Sequence, residues 1–112
     1  MGATISTDLH DSGAVLVLAG DLDVRSTSEI RAALDEHLRV HGSATDGRVL
    51  VDLSDVTSID ETALKVLAAA SRRARRRGGA VVLRGGAPAV RRMLHLTHLV
   101  RLFELERLPI PA

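Results

Sequence analysis

RVLVDLSDVTSIDETALKVL, residues Arg48–Leu67, holds the change of pattern that decides the fold. Val49, Leu50, Val51 and Leu53 form the short, β-branched apolar run of a buried strand. A polar stretch follows, and then Leu64, Leu67, Ala68 and Ser71 recur at helical spacing. The reading is therefore strand, polar turn, helix, with the helix running from about Glu61 to Arg77 and ended by Gly78-Gly79. Asp60, Glu61 and Thr62 fall at its start, so a hydroxyl is held among carboxylates at a helix N-terminus. Unpaired N–H groups and the positive end of the helix dipole favour added negative charge there. Thr62 is a place where a phosphate can be attached. Read from spacing alone, a threonine here is more often a helix-start residue whose hydroxyl bonds a nearby carbonyl. Ser58-x-x-Glu61 has capping-box spacing and makes Glu61 a capping glutamate rather than a built-in negative charge.

On the amino-terminal side, Ala14 to Ala19 reads as a strong buried strand and Ala3 to Leu9 as a weaker one. Asp11-Ser12-Gly13 between them is turn chemistry, giving a hairpin. Ser26-Thr27-Ser28-Glu29 carries a second capping-box spacing, and Ile30, Ala33, Leu34, His37 and Leu38 mark one face of a helix ending near Gly42. A polar loop spans Gly42 to Gly47. On the carboxyl side, Ala80 to Arg84 is a strand, Pro88 suits the first turn of a helix reaching about Leu96, and Leu102 to Leu105 is a last strand. Pro109 and Pro111 argue against a long terminal helix.

The fold class is thus α/β over one domain, residues 1–112. A four- or five-stranded mixed sheet has an N-terminal hairpin and helices after strands 2, 3 and 4. Alternating β and α elements imply parallel strands with helical crossovers. The expected core is Val15, Val17, Ile30, Leu34, Leu38, Leu50, Leu64, Leu67, Val82, Val90 and Leu94. In such sheets the functional crevice lies beyond the carboxyl ends of the strands. Asp21 and Asp23 after strand 2 then meet Asp60, Glu61 and Thr62 after strand 3.

Composition narrows the chemistry. The chain is 46% hydrophobic and 26% charged, ordinary for a globular domain, and 112 residues suffice for a core. It has no cysteine, hence no disulfide, thiol nucleophile or thiolate metal site. No secretory signal and no membrane-length apolar run is read, which points to a cytoplasmic protein. Net charge is lopsided. Residues 1–61 hold twelve acids and four bases, a net −8, and residues 62–112 hold two acids and eleven bases, a net +9, together the +1 of the whole chain. One acidic and one basic surface would orient a charged partner.

Several other motifs read more blandly. Asp21, Asp23 and Asp60 offer hard oxygen ligands, but their spacing matches no metal loop, so they tie loops or contact a basic partner. The basic run Arg72–Arg77 suggests phosphate neutralisation, yet Phe103 is the chain's one aromatic residue and base stacking is nearly unavailable. Arginine also suits the last turns of a helix, so a solvated face is preferred. His95-x-x-His98 falls where a helix ends, and no metal is expected there. Gly78-Gly79 and Gly85-Gly86 lack the lysine and hydroxyl of a phosphate loop and read as turns. No nucleophile–base pair can be placed, so no catalysis and no cofactor is expected.

Three segments in order carry a family resemblance. The loop Ile59-Asp60-Glu61-Thr62-Ala63-Leu64, the turn Leu18-Ala19-Gly20-Asp21-Leu22-Asp23 and the stretch Pro88–Leu99 resemble the STAS domain, in particular stand-alone bacterial anti-sigma-factor antagonists. The likeness runs from about Ala14 to Leu105. It places Thr62 on the family's phosphoacceptor position and Asp60 on its loop aspartate. Glu61 stands where a first serine is usual, Ala63 where glycine is usual, and threonine replaces serine as acceptor. The resemblance implies a non-catalytic protein-binding switch. An anti-sigma factor that is also a serine/threonine kinase would bind it and phosphorylate Thr62, and a serine/threonine phosphatase would reverse this. Contact residues would be Asp21, Asp23, Arg25, Asp60, Glu61, Thr62 and Lys65. Direct nucleic-acid binding and membrane insertion are not implied. The alternative is an unmodified STAS subunit of a membrane transport or stress-signalling assembly.

Overall fold

The computed structural model describes residues 2–10, 13–42 and 47–106. In chain order the elements are β1 (Thr4–His10), β2 (Gly13–Leu22), a 3-10 turn (Val24–Ser26), α1 (Thr27–His41) and β3 (Arg48–Ile59). They continue with α2 (Glu61–Arg76), β4 (Ala80–Arg84), α3 (Pro88–Leu96), a second 3-10 turn (Leu99–Leu102) and β5 (Glu104–Leu105). The five strands lie in sequence order in one sheet. β1 pairs antiparallel with β2, and every later pair is parallel. The α/β fold with its hairpin and three following helices is the one expected. Asp11-Ser12 of the hairpin turn, most of the Gly42–Gly47 loop, Pro109 and Pro111 lie outside the described residues.

The sheet has two unequal faces, because successive side chains in a strand point to opposite sides. Leu16, Leu18, Val49, Val51, Leu53, Val81 and Leu83 join Ile30, Leu34 and Leu38 of α1 and Leu64 and Leu67 of α2 in one buried cluster, with Val90 and Leu94 of α3. Val15, Leu50 and Val82 are partners across the ladder and belong to the other face. Here the expected core needs correction: Val17, Leu50 and Val82 are only half-buried. The continuous apolar run of β3 suggests two covered faces, but α1 and α2 pack on one.

A second correction concerns β3. It does not stop at Leu53 before a polar turn; it continues to Ile59, and Asp60 alone links it to α2. β2 likewise reaches Leu22 rather than ending at Ala19. The extension is held by pairing of Gly20 with Val56 and of Leu22 with Ile59. Register shifts between Val17 and Ala19 and between Gly20 and Asp21 break the strict alternation. Leu53, Val56 and Ile59 are buried at intervals of three while Ser54, Asp55, Thr57 and Ser58 face solvent. A period of three in a bulged strand looks like a loop in the sequence.

At the opposite end of the sheet, Gly47 has φ +80 and its carbonyl accepts from Ala80 N–H at 3.1 Å. A Cβ at Gly79 would run into the Gly47 backbone, so two glycines are needed where these turns cross. His37 of α1 is buried, and neither ring nitrogen has a hydrogen bond of good geometry among the described residues, the Leu50 backbone being a polar contact. Burial, and secondarily the neighbouring His41, hold its imidazole below the usual histidine range.

Candidate functional site: an acidic edge at the start of α2

The carboxyl ends of β2 and β3 meet through Asp60. Its N–H donates to the Leu22 carbonyl at 2.9 Å. One carboxylate oxygen accepts from Ala63 N–H at 2.8 Å, which caps α2. The other accepts from Val24 N–H at 3.1 Å, in the turn after β2. A single side chain thus fastens the turn Val24–Ser26 to the first turn of α2. The capping boxes expected at Ser58–Glu61 and Ser26–Glu29 do not form. Asp60 is the cap of α2, so Glu61 is the first helical residue and not the third. Glu61 reaches forward instead to Lys65, at 3.5 Å, across one helical turn. Ser26 makes no side-chain cap to α1. Its hydroxyl donates to the Asp23 carbonyl at 3.0 Å and accepts from Asp23 N–H at 3.2 Å, closing the turn one step earlier.

Asp23 is occupied within its own turn. Its carboxylate accepts from Arg25 N–H at 2.9 Å and pairs with the Arg25 guanidinium at 2.8 Å. The Arg25 side chain, then its backbone N–H, hold the Asp23 carboxyl below the usual range. Asp21, inside β2, accepts from the hydroxyls of Thr57 at 2.7 Å and Ser58 at 2.8 Å on β3. Those two bonds, Thr57 first, hold its carboxyl below the usual range. Hydrogen bonds to the charged form, at little burial, favour the ionised carboxylates of Asp21 and Asp23.

Thr62 is the second residue of α2 and is exposed. Its hydroxyl makes no hydrogen bond among the described residues, so it is not tied to a carbonyl as the bland reading required. Ala63 beside it is fully buried. The structure therefore brings Asp21, Asp23 and Arg25 from one side of the edge to Asp60, Glu61, Thr62 and Lys65 on the other. Val24 was not singled out from the sequence. It is 63% exposed between Asp23 and Arg25, an apolar side chain in the middle of the charged edge. Its one sequence signal is an apolar residue between two charges just past a buried strand.

Among the described residues, no group of three or more histidine or carboxylate side chains is arranged to hold a metal ion. The three aspartates are committed to backbone, hydroxyl and guanidinium donors. No described helix is long and apolar enough to cross a membrane. His95 and His98 are exposed at the end of α3.

The fold is shared with known proteins. A family model described as Mlab, STAS domain, matches residues 5–105. The chain belongs to the STAS domain family. The anti-sigma-F factor antagonist RsfB of Mycobacterium tuberculosis is 30% identical over 103 residues, covering 91% of this chain and 80% of RsfB. The crystal structure of an anti-sigma factor antagonist from Mycobacterium paratuberculosis superposes with a TM-score of 0.77 at 25% identity, over 96% of this chain and 87% of that one. The Bacillus cell fate determinant SpoIIAA in its phosphorylated form shares the fold, with a TM-score of 0.66 at 14% identity over 93% of this chain and 92% of that one.

Proposed function

We propose that this STAS domain is an anti-sigma-factor antagonist that works by binding rather than catalysis, and that Thr62 is its switch. Its partner is an anti-sigma factor with serine/threonine kinase activity, bound at the acidic edge through Asp21, Asp23, Arg25, Asp60, Glu61, Thr62 and Lys65. A serine/threonine phosphatase resets the switch. The observation that carries this reading is the exposed, unbonded Thr62 hydroxyl in the first turn of α2, beside a cap that couples it to the turn after β2. The names of RsfB and of the Mycobacterium paratuberculosis protein support the antagonist part.

The chemistry of the switch follows from charge. A phosphothreonine carries about −1.5 to −2 at neutral pH. At Thr62 it would stand next to the Asp60 and Glu61 carboxylates. In the free protein the solvent and the N-terminal end of the α2 dipole accommodate that charge. In a complex the same group meets like charges and loses its water, which breaks the interface.

The test is incubation with the cognate kinase and ATP, followed by mass spectrometry. Thr62 is the expected modified residue. Thr62→Ala should keep the partner and lose the label, since Thr62 gives up no hydrogen bond when truncated. Thr62→Glu should weaken binding, though less than phosphate does, having a single charge. Label on another residue, or equal labelling of Thr62→Ala, would end the Thr62 switch, and no label at all would favour an unmodified subunit of a transport or stress-signalling assembly.

A further inference from the structure

The other end of α2 carries a second site, and nothing in the switch reading uses it. Arg72 and Arg75 lie three residues apart on one face of the helix. Facing them is the turn Leu99–Leu102, which brings Arg101 to the same place. Between them is a recess of about 380 Å³. Leu99 and Leu102, both half-buried, contribute apolar surface to it, and His98 stands at its lip.

Two bonds fix the shape of this recess. The Arg75 guanidinium donates to the Arg101 carbonyl at 2.9 Å, and the buried Ser71 hydroxyl donates to the Leu102 carbonyl. His98 enters the turn in the left-handed region, φ 60. Such a conformation persists where the surroundings determine it. The walls are therefore set before any ligand arrives.

The charges in the recess are unbalanced. Arg25, Arg39, Arg48, Arg73 and Arg84 each pair with a carboxylate. Arg72, Arg75 and Arg101 pair with none among the described residues. Three guanidiniums around one concave space repel one another, and a multiply charged anion relieves that repulsion. Guanidinium forks match phosphoryl oxygens two at a time. The recess is compact, and the chain's one Phe, Tyr or Trp residue, Phe103, is buried, so no large aromatic ring stands in it to stack a base.

We infer that the recess between the carboxyl-terminal half of α2 and the turn Leu99–Leu102 binds a small ligand bearing phosphoryl groups, through Arg72, Arg75 and Arg101. At a rise of 1.5 Å per residue, Arg72 and Arg75 lie about 15–20 Å along the helix from Thr62. A ligand there leaves the acidic edge free.

Inorganic pyrophosphate is the probe, titrated into the isotope-labelled full chain at physiological salt and followed by amide NMR. The expected result is a saturable set of shifts confined to Arg72–Arg75 and Thr97–Leu102. Arg72→Ala with Arg101→Ala should weaken binding at least about tenfold, because two of the three guanidiniums that make charge-assisted bonds to the phosphoryl oxygens are removed. Arg76→Ala with Arg77→Ala removes the same charge from the same helix end and should leave the affinity within about twofold, as screened, distant charges do. Equal weakening by both pairs would overturn the site in favour of diffuse attraction. So would unsaturable or scattered shifts. Retention on phosphatidylglycerol vesicles or duplex DNA without a response to pyrophosphate would equally overturn it, assigning the arginines to a bilayer headgroup or a nucleic-acid backbone.

Discussion

The two ends of α2 are built by opposite means. At the amino end every aspartate is engaged: Asp60 with two backbone N–H groups, Asp23 with Arg25, Asp21 with two hydroxyls. What remains unengaged there is a neutral hydroxyl, Thr62. At the carboxyl end Arg73 pairs with Asp35, but Arg72 and Arg75 pair with no carboxylate among the described residues, and a backbone carbonyl holds Arg75. The difference shows what each end can respond to. An end whose charges are already bonded would change state, under the proposed switch, by gaining a charge, and an end with unpaired cations would change, under the inferred anion site, by gaining a counter-ion.

The shaft between the ends offers the largest test. Leu67 is fully buried under α2, while Leu50 is half-buried on the far face of the sheet. Leu67→Ala should cost about 2–5 kcal/mol in chemical denaturation and Leu50→Ala less than about 2. Because Leu67 underlies the helix that carries both ends, its loss should broaden NMR signals at Thr62 and at Arg72 together. Equal costs for the two leucines would mean that the sheet is covered on both faces.

Next in size is the cap. Asp60→Ala removes a hydrogen bond to α2 and another to Val24, and should cost about 1–2 kcal/mol. Asp60→Asn keeps one acceptor oxygen and should fall between wild type and alanine. At the carboxyl end, Arg76→Ala should stay within about 0.5 kcal/mol, as solvated surface changes do. If Asp60→Ala is as mild as Arg76→Ala, the clamp between the two loops is not what orders the edge.

These contrasts also mark what the sequence shows and what it hides. The alternation of elements, the parallel order and the helix start at Asp60-Glu61-Thr62 are legible, because burial imposes a period on the residues that make them. Partners distant in the chain are not. Asp60 could be read as a loop aspartate, but its bond to Val24 crosses 36 positions. Ser58 mimics a capping serine in spacing, yet its hydroxyl is drawn to Asp21 by strand pairing that bulges have shifted. β3 beyond Leu53 reads as loop because the same bulges replace a period of two by one of three. The arginine run is plain in the sequence. That Arg101 joins it depends on the left-handed turn at His98, which nothing local announces.

The smallest predicted effect isolates the amino end electrostatically. The Asp21 carboxyl sits below its ordinary 3.8 because Thr57 and Ser58 donate to its charged form. The unfolded chain, lacking those donors, binds a proton at higher pH than the folded one does. Between the two values the unfolded state carries more protons, so stability rises with pH there. The contribution is fully present above about pH 3.8 and is lost as pH falls through the lower folded value. Carboxyl NMR titration should show Asp21 moving up toward 3.8 in Ser58→Ala, and further when Thr57→Ala is added. Asp23, whose shift comes from Arg25, should stay where it is in both variants. Arg25→Ala should raise Asp23 chiefly and Asp21 far less. Asp21 is little buried, so solvent screens the effect and the change in global stability should be slight. The site-specific titration is therefore the measurement that decides. If the double hydroxyl variant leaves Asp21 unmoved, the two strands do not hold that carboxylate, and the edge is organised by Asp60 and Asp23 alone.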